Sequence, residues 1–151
     1  MMKLGIQSPG AAHWSRQQYE RLFAEEDNQA QSERFAWVAE KELGKRPAGI
    51  PEEKSELLAF LVAHRIDTEW ELENLVVDKN VRRRGIAILL LGELIAGARA
   101  LRGSSIFLEV RESNQRARSL YRKAGFAETG LRNSYYTGPT EDAIICRLSL
   151  Y

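Results

Sequence analysis

The sequence predicts an α/β fold in a single domain, a mixed β-sheet flanked by helices, and three observations predict it. The chain has 151 residues, 44% of them hydrophobic and 28% charged, enough to build one buried core and too few for two ordinary domains. Its apolar residues switch between the period of two that marks strands and the three-to-four spacing that marks helices. The switches fall in the order β-β-β-α-β-α-β-β behind a short helical start, and strands interleaved with helices in this way form one mixed sheet. Residues 1–151 are therefore read as one domain.

The helical start opens at Ser15, which can cap; Gln18 completes a capping box, Trp14 can staple onto Tyr19, and the helix ends near Phe23. Residues 34–40 (RFAWVAE) and 56–66 (ELLAFLVAHRI) are rich in aromatic and branched side chains and read as strands. Between them residues 41–55, with Gly44, Pro47, Gly49 and Pro51, exceed the ~2–5 residues of a tight hairpin. Residues 69–77 (EWELENLVV) alternate charge and bulk, then turn continuously apolar from Leu75, as a strand entering a core does. A helix follows over residues 85–101, with Ile86, Leu90, Leu94 and Leu101 along one side. Gly92 and Gly97 each weaken it by ~1 kcal/mol relative to alanine. Residues 105–110 (SIFLEV) make a short buried strand, and residues 114–124 a helix capped by Ser113 or Asn114 and stopped by Gly125. Residues 126–136 and 143–150 are two strands joined through a Gly138-Pro139 turn.

Composition excludes several function classes. A formal net charge of +1 gives no global basic field for nucleic acid. The lone Cys146 cannot form an internal disulfide, and with only His13 and His64 there is no Cys/His cluster of metal-ligand type. The expected site is metal-free and the expected compartment reducing. The most apolar run, residues 86–98, carries Glu93 and falls short of the ~18 residues a spanning helix needs. The sequence therefore reads as cytoplasmic, with no membrane partner.

Chemistry concentrates where the strand ending at Val77 gives way to the helix beginning near Gly85, through the stretch VRRRGIA. A helix N-terminus offers unpaired N–H groups and the positive end of a dipole. Gly85 permits close backbone approach, Ala87 is too small to obstruct it, and Arg82, Arg83 and Arg84 add positive charge. These residues suit a diphosphate; they equally suit a solvated basic loop followed by a core helix. No Gly-Lys-Ser/Thr follows, so the stretch is not a Walker A loop, and it lacks the dinucleotide-fold glycines.

Arg82-x-x-Gly85-x-Ala87 after Leu75-Val76-Val77, then Leu108-Glu109-Val110-Arg111, Asn114, Ala117, Leu120-Tyr121 and Gly125-Phe126, resembles the GCN5-related N-acetyltransferase (GNAT) superfamily. More narrowly, LEVRESNQRARSLYRKAGF followed by GLRNSYY and EDAIICRL resembles the RimI family of ribosomal-protein-alanine N-acetyltransferases. The resemblance is loose over residues 14–150 and close over residues 74–148. It implies direct transfer of acetyl from acetyl-CoA to a protein N-terminal amine, the partner being a ribosomal protein. It also implies that the strand at Leu75, Val76 and Val77 lies against the pantetheine and acetyl group. The turn from Arg83 through Gly85, Ile86, Ala87 and Ile88 would wrap the pyrophosphate, and Asn114 would touch the cofactor. Glu109 matches the family's general base and Tyr121 its general acid. Two other readings stay open: a GNAT acting on another N-terminus or a small amine, and a CoA-binding module without turnover.

Elementary chemistry runs alongside. An amine attacks a thioester only when neutral, and an α-amino group has a pKa of about 7.7–8.0 against ~10.4 for lysine. A modest base such as Glu109 therefore suffices, and the neutral phenol of Tyr121 can serve a thiolate leaving group of pKa ~8.5. The same residues also fit a salt bridge from Glu109 to Arg111 or a neighbouring strand, and a core position for Tyr121. Asn74 and Tyr136 are the candidates for holding the incoming N-terminus, with sheet packing the alternative for Tyr136. Glu69, Glu71 and Glu73 share a strand face by the period of two. Relatives of this motif order begin with a further strand, and the residues before Trp14 are too few for it and its helix. The first strand is therefore expected to be missing, residues 34–40 to form a sheet edge, and residues 1–6 to be a helix tail. Either a second copy of the chain, as a homodimer, or the loop over residues 41–55 would cover that edge, the second copy being favoured.

Overall fold

In a computed structural model the residues described are Gln17, 32–42 and 55–151. The strands are β1 (Ser32–Glu42), β2 (Ser55–Ile66), β3 (Glu69–Val77), β4 (Ser105–Arg111), β5 (Ala127–Tyr136) and β6 (Glu141–Ser149). Helix α1 (Ile86–Ala100) lies between β3 and β4, and α2 (Gln115–Lys123) between β4 and β5. A 3-10 turn at Lys79–Val81, which the sequence reading did not foresee, precedes α1. Strand and helix ends otherwise differ from expectation by one or two residues. The helix expected from Ser15 lies outside the described residues apart from Gln17, as do most of the loop over 41–55 and the segment 1–6.

The six strands form one sheet in the order β1-β2-β3-β4-β6-β5. Among them the β3–β4 pair is parallel and the rest antiparallel, because the α1 crossover returns the chain to the same end of the sheet. Within the described residues β1 pairs with β2 alone, which leaves it at the edge. Both helices pack on one face, where Leu61, Trp70, Leu72, Leu91, Leu94, Ile106 and Leu108 form a continuous core that Leu120 and Tyr121 join from α2. Each such buried aliphatic or aromatic side chain contributes about 1.5–3 kcal/mol. No helix among the described residues is long and apolar enough to cross a membrane.

At the β1 end, Phe35 packs on Trp70 with ring centroids 4.8 Å apart and Trp37 lies 6.4 Å from Trp70. Gly97, which local propensity marks as a weak point in α1, has a packing reason: a Cβ there would lie 3.1 Å from the Trp37 ring. Gly103 is tighter still, since a Cβ would meet Trp70 Nε1 at 2.6 Å and the Ala98 carbonyl oxygen at 2.9 Å. Trp70 is fully buried and cannot swing aside. Gly103→Ala is therefore expected to destabilise the protein by about 2–3 kcal/mol in a urea titration, and an unchanged midpoint would contradict this packing.

Candidate active site

Parallel pairing of β3 with β4 stops early. It joins Glu69, Trp70 and Glu71 to Ser105, Ile106 and Phe107, yet β3 runs on to Val77 and β4 to Arg111. A bulge accounts for the divergence: Ala63 of β2 faces Leu72 and Val62 faces Asn74, so Glu73 is an extra residue that bends β3. Between the diverging ends lies a cleft of about 1260 Å³. Leu72 to Val77 form one wall and Glu109 to Arg111 the other, with the start of α1 and one side of α2 completing it.

The bulge also changes what faces where. Before it Trp70 and Leu72 point to the helix face; after it Leu75 and Val77 do, paired with Leu61 and Ala59 of the same core. Asn74 and Val76 thereby join Glu71 on the opposite face, where Glu73 also keeps its carboxylate beside Glu71 and Arg34, so Glu71 and Glu73 share a face as the period of two expects. Glu109 shares that opposite face, beside the β6 residue Ile145.

At the α1 end of the cleft the backbone is shaped to present N–H groups. Arg83 and Gly85 take left-handed conformations, φ 63° and 82°. Gly85 caps α1 without a side-chain hydrogen bond. Leu89 N–H is the one that returns to the Gly85 carbonyl, at 3.1 Å. The N–H groups of Ile86, Ala87 and Ile88 precede that first helical bond, so they have no partner within the helix. Arg82, Arg83, Gly85, Ile86, Ala87 and Ile88 all line the cleft, whereas Arg84 does not. Arg82 turns inward, its Nε donating to the Val77 carbonyl at 3.0 Å, so it braces the turn. Lys79, Arg116 and Lys123 add positive charge to the walls. Sequence reading missed these three because the turn and α2 converge only in the fold.

Asn114 settles the choice of cap, its Oδ1 accepting from the Ala117 N–H at 3.2 Å at the head of α2. The loop before it is tied to β6 by Glu141, which accepts from the Ser113 N–H at 2.6 Å and from Arg111 at 3.2 Å. Hydrogen bonds from Ser113, and then from Arg111, hold the Glu141 carboxyl below the usual carboxylate range. Asp142 in turn accepts from the Ser134 N–H at 2.7 Å. Sequence reading assigned neither acid this bracing role, because their partners Arg111, Ser113 and Ser134 meet them only in the fold.

Glu109, Tyr121, Asn74, Tyr136 and Asn114 all line the same cleft, with Leu75, Val76 and Val77. The Glu109 carboxylate accepts from Arg132 Nη1 of β5 at 2.5 Å; the salt bridge weighed for it is thus present, not from Arg111 but from β5, which lies one strand beyond its neighbour β6. Tyr135 directs its hydroxyl at the same carboxylate, which pushes the phenol up to about 12. Tyr136 instead lies under the Arg111 guanidinium, 4.2 Å from its ring centre. Tyr121 packs edge-on against Phe126, centroids 5.9 Å apart, and burial, with a smaller contribution from Cys146, pushes its phenol well above the ordinary tyrosine value. Asn74 is 3% exposed, and both polar atoms of its side chain have no partner among the described residues. A buried amide without a partner costs about 1–3 kcal/mol, and this one lines the cleft with a donor and an acceptor to offer. Burial, and then the neighbouring carboxylates of Glu73 and Glu109, raise the Glu71 pKa. His64, Glu71 and Glu73 bring potential ligand atoms within 4.8 Å of one another, but Glu73 is already committed to Arg34 at 3.1 Å.

Comparison with known proteins meets this geometry. Residues 8–126 match the model of the acetyltransferase (GNAT) family. An uncharacterized protein of Mycobacterium leprae is 40% identical over 86 residues, 57% of this chain, and the match spans only 23% of that protein. The [ribosomal protein bS18]-alanine N-acetyltransferase of Haemophilus ducreyi is 37% identical over 101 residues, 65% of this chain and 70% of that one. The crystal structure of the Escherichia coli ribosomal-protein-S18-alanine N-acetyltransferase superposes with a TM-score of 0.72 at 27% identity, over 99% of this chain and 84% of that one. The splayed parallel pair, the side-chain-free helix start and the family match together place this chain in the acetyltransferase (GNAT) family.

Proposed function

We infer that the chain transfers the acetyl group of acetyl-CoA to the α-amine of a protein N-terminus, with an alanine-initiated ribosomal protein as acceptor. The observation that carries this reading is that one cleft holds both the helix-start N–H groups that have no partner within the helix and the Glu109 carboxylate. The names of the Haemophilus and Escherichia proteins support the choice of acceptor.

Acetyl-CoA supplies an activated thioester and a diphosphate. The N–H groups of Ile86, Ala87 and Ile88 hold the diphosphate, and the cleft-facing backbone of Leu75, Val76 and Val77, no longer paired with β4, binds the pantetheine as an added strand would. Arg83 lends screened charge, and the amide of Asn114 meets the arm nearby. Asn74 and Tyr136 orient the incoming N-terminus. Glu109 accepts the amine proton, the amine nitrogen forms its bond to the acetyl carbon, and the carbon–sulfur bond breaks. Tyr121 then faces the departing sulfur. A phenol held above ~10 stays protonated at neutral pH, and full transfer to a thiolate of pKa ~8.5 is uphill. Its contribution is therefore a hydrogen bond to the charge developing on sulfur, and the sulfur leaves as a thiolate that takes its proton from solvent.

The reading is tested by incubating the chain with acetyl-CoA and peptides beginning with alanine, with other residues, or blocked at the N-terminus, and following acetylation by mass spectrometry. Acetylation confined to small amines or lysine side chains would overturn the N-terminal assignment, and CoA binding without product would overturn the enzyme. Tyr121→Phe should slow turnover about 10- to 100-fold with acetyl-CoA affinity unchanged. Its melting temperature should stay within about 2 °C, since the ring contact with Phe126 remains. A collapse in stability instead would make Tyr121 a structural hydrogen-bonder.

A further inference from the structure

Glu109 faces the cleft, yet its carboxylate is already occupied by a cation from its own chain. Its side chain is 16% exposed while that of Arg132 is 57% exposed, so the cleft-side acid is the fixed partner and the arginine the movable one. A guanidinium with that much water contact is re-solvated when it leaves, and such pairs are held by little net free energy. Arg132 also sits where β5 is least constrained. It is the last residue in register with β6 before the pairing breaks, with Ser134 at φ 52° just beyond. The Tyr135 ring, 4.6 Å from the Arg132 guanidinium, provides a surface along which that group can slide without losing all contact. Charge argues the same way. Glu71 lies close enough to feel both Glu109 and Arg132, so moving the guanidinium away leaves two carboxylates facing each other and favours another cation in its place.

We propose that Arg132 is an internal stand-in for the acceptor's ammonium group, occupying Glu109 until an N-terminal amine displaces it and thereby weakening acceptor binding. This rests on the reading of Glu109 as the group that meets the amine. Arg132 is then a specificity device: a ligand lacking a free amine cannot displace it, and one that carries the amine must outcompete it.

The experiment measures calorimetric binding of an alanine-initiated peptide to the full chain saturated with CoA, which cannot transfer acetyl. Arg132→Gln should tighten the peptide about five- to tenfold, because the competent state is no longer the minor one, and Arg132→Lys should stay within about twofold of wild type. Adding methylguanidinium should weaken the peptide on Arg132→Gln and leave the wild type unchanged. Arg132→Thr, a β-favouring replacement, gives the same readout should glutamine disturb β5. Equal or weaker binding by the neutral variants would overturn the proposal and make Arg132 a group that merely positions Glu109. The same peptide with an acetylated N-terminus should be indifferent to residue 132; equal tightening of that blocked peptide would also overturn it. Wild-type turnover with acetyl-CoA is scored separately, so absence of acetylation removes the proposed function while the affinities still decide Arg132.

Discussion

Glu109→Gln is expected to slow acetylation of an N-terminal peptide by about 10²- to 10³-fold at pH 7 while acetyl-CoA affinity stays within about twofold. Glutamine keeps the shape of the side chain and an oxygen that can accept from Arg132, so the wall of the cleft survives. What it cannot do is take a proton. The pH profile gives the sign. Below the amine's own pKa of about 7.7–8.0 most acceptor arrives charged and must be deprotonated on the enzyme, so the loss is greatest there. Above it the amine arrives neutral, and the loss should shrink as pH rises. Unchanged turnover across the range would remove Glu109 from the chemistry, and the carboxylate of Glu71, on the same face and raised in pKa, would be the next to test.

Gly85→Val is expected to weaken acetyl-CoA binding about 10- to 100-fold, far more than Arg82→Gln, Arg83→Gln or Arg84→Gln taken singly, each under about threefold. A Cβ at Gly85 meets nothing closer than 4.0 Å, so crowding is not the cause. The backbone is: at φ 82° a β-branched residue is strained by more than about 1–2 kcal/mol. Relief of that strain rotates the peptide planes whose N–H groups open α1. The arginines act through solvent-screened charge, and Arg82 is engaged with the Val77 carbonyl. Calorimetric affinities dominated by one arginine would reverse this ranking and make the site a charge cluster.

Much of this protein was legible along the chain because the signals were local. The alternation in EWELENLVV, the glycine stop at Gly125 and the apolar spacing in α1 each depend on neighbours a few residues away, and they located six strands and two helices. The junction at Gly85 was legible for the same reason: a left-handed glycine and a helix start are properties of consecutive residues. Family-like spacing then named Glu109 and Tyr121, although their roles rest on the experiments above.

The partners of those residues were not legible. Glu109 pairs with Arg132, 23 positions away, because β4 and β5 flank β6 and a β5 irregularity sets which side chains share its face. The adjacent tyrosines exchange the expected emphasis for the same reason, Tyr135 turning to Glu109 and Tyr136 to Arg111. The bulge at Glu73, which opens the cleft and buries the unpaired amide of Asn74, exists only in the register between β2 and β3. The sequence by itself determined the elements, their order and the anion-ready helix start, since backbone preference and hydrophobic period are local energies. Tertiary structure alone decided which charges meet and where the sheet parts, since strand register is chosen by the whole core and one extra residue sends every side chain beyond it to the other face.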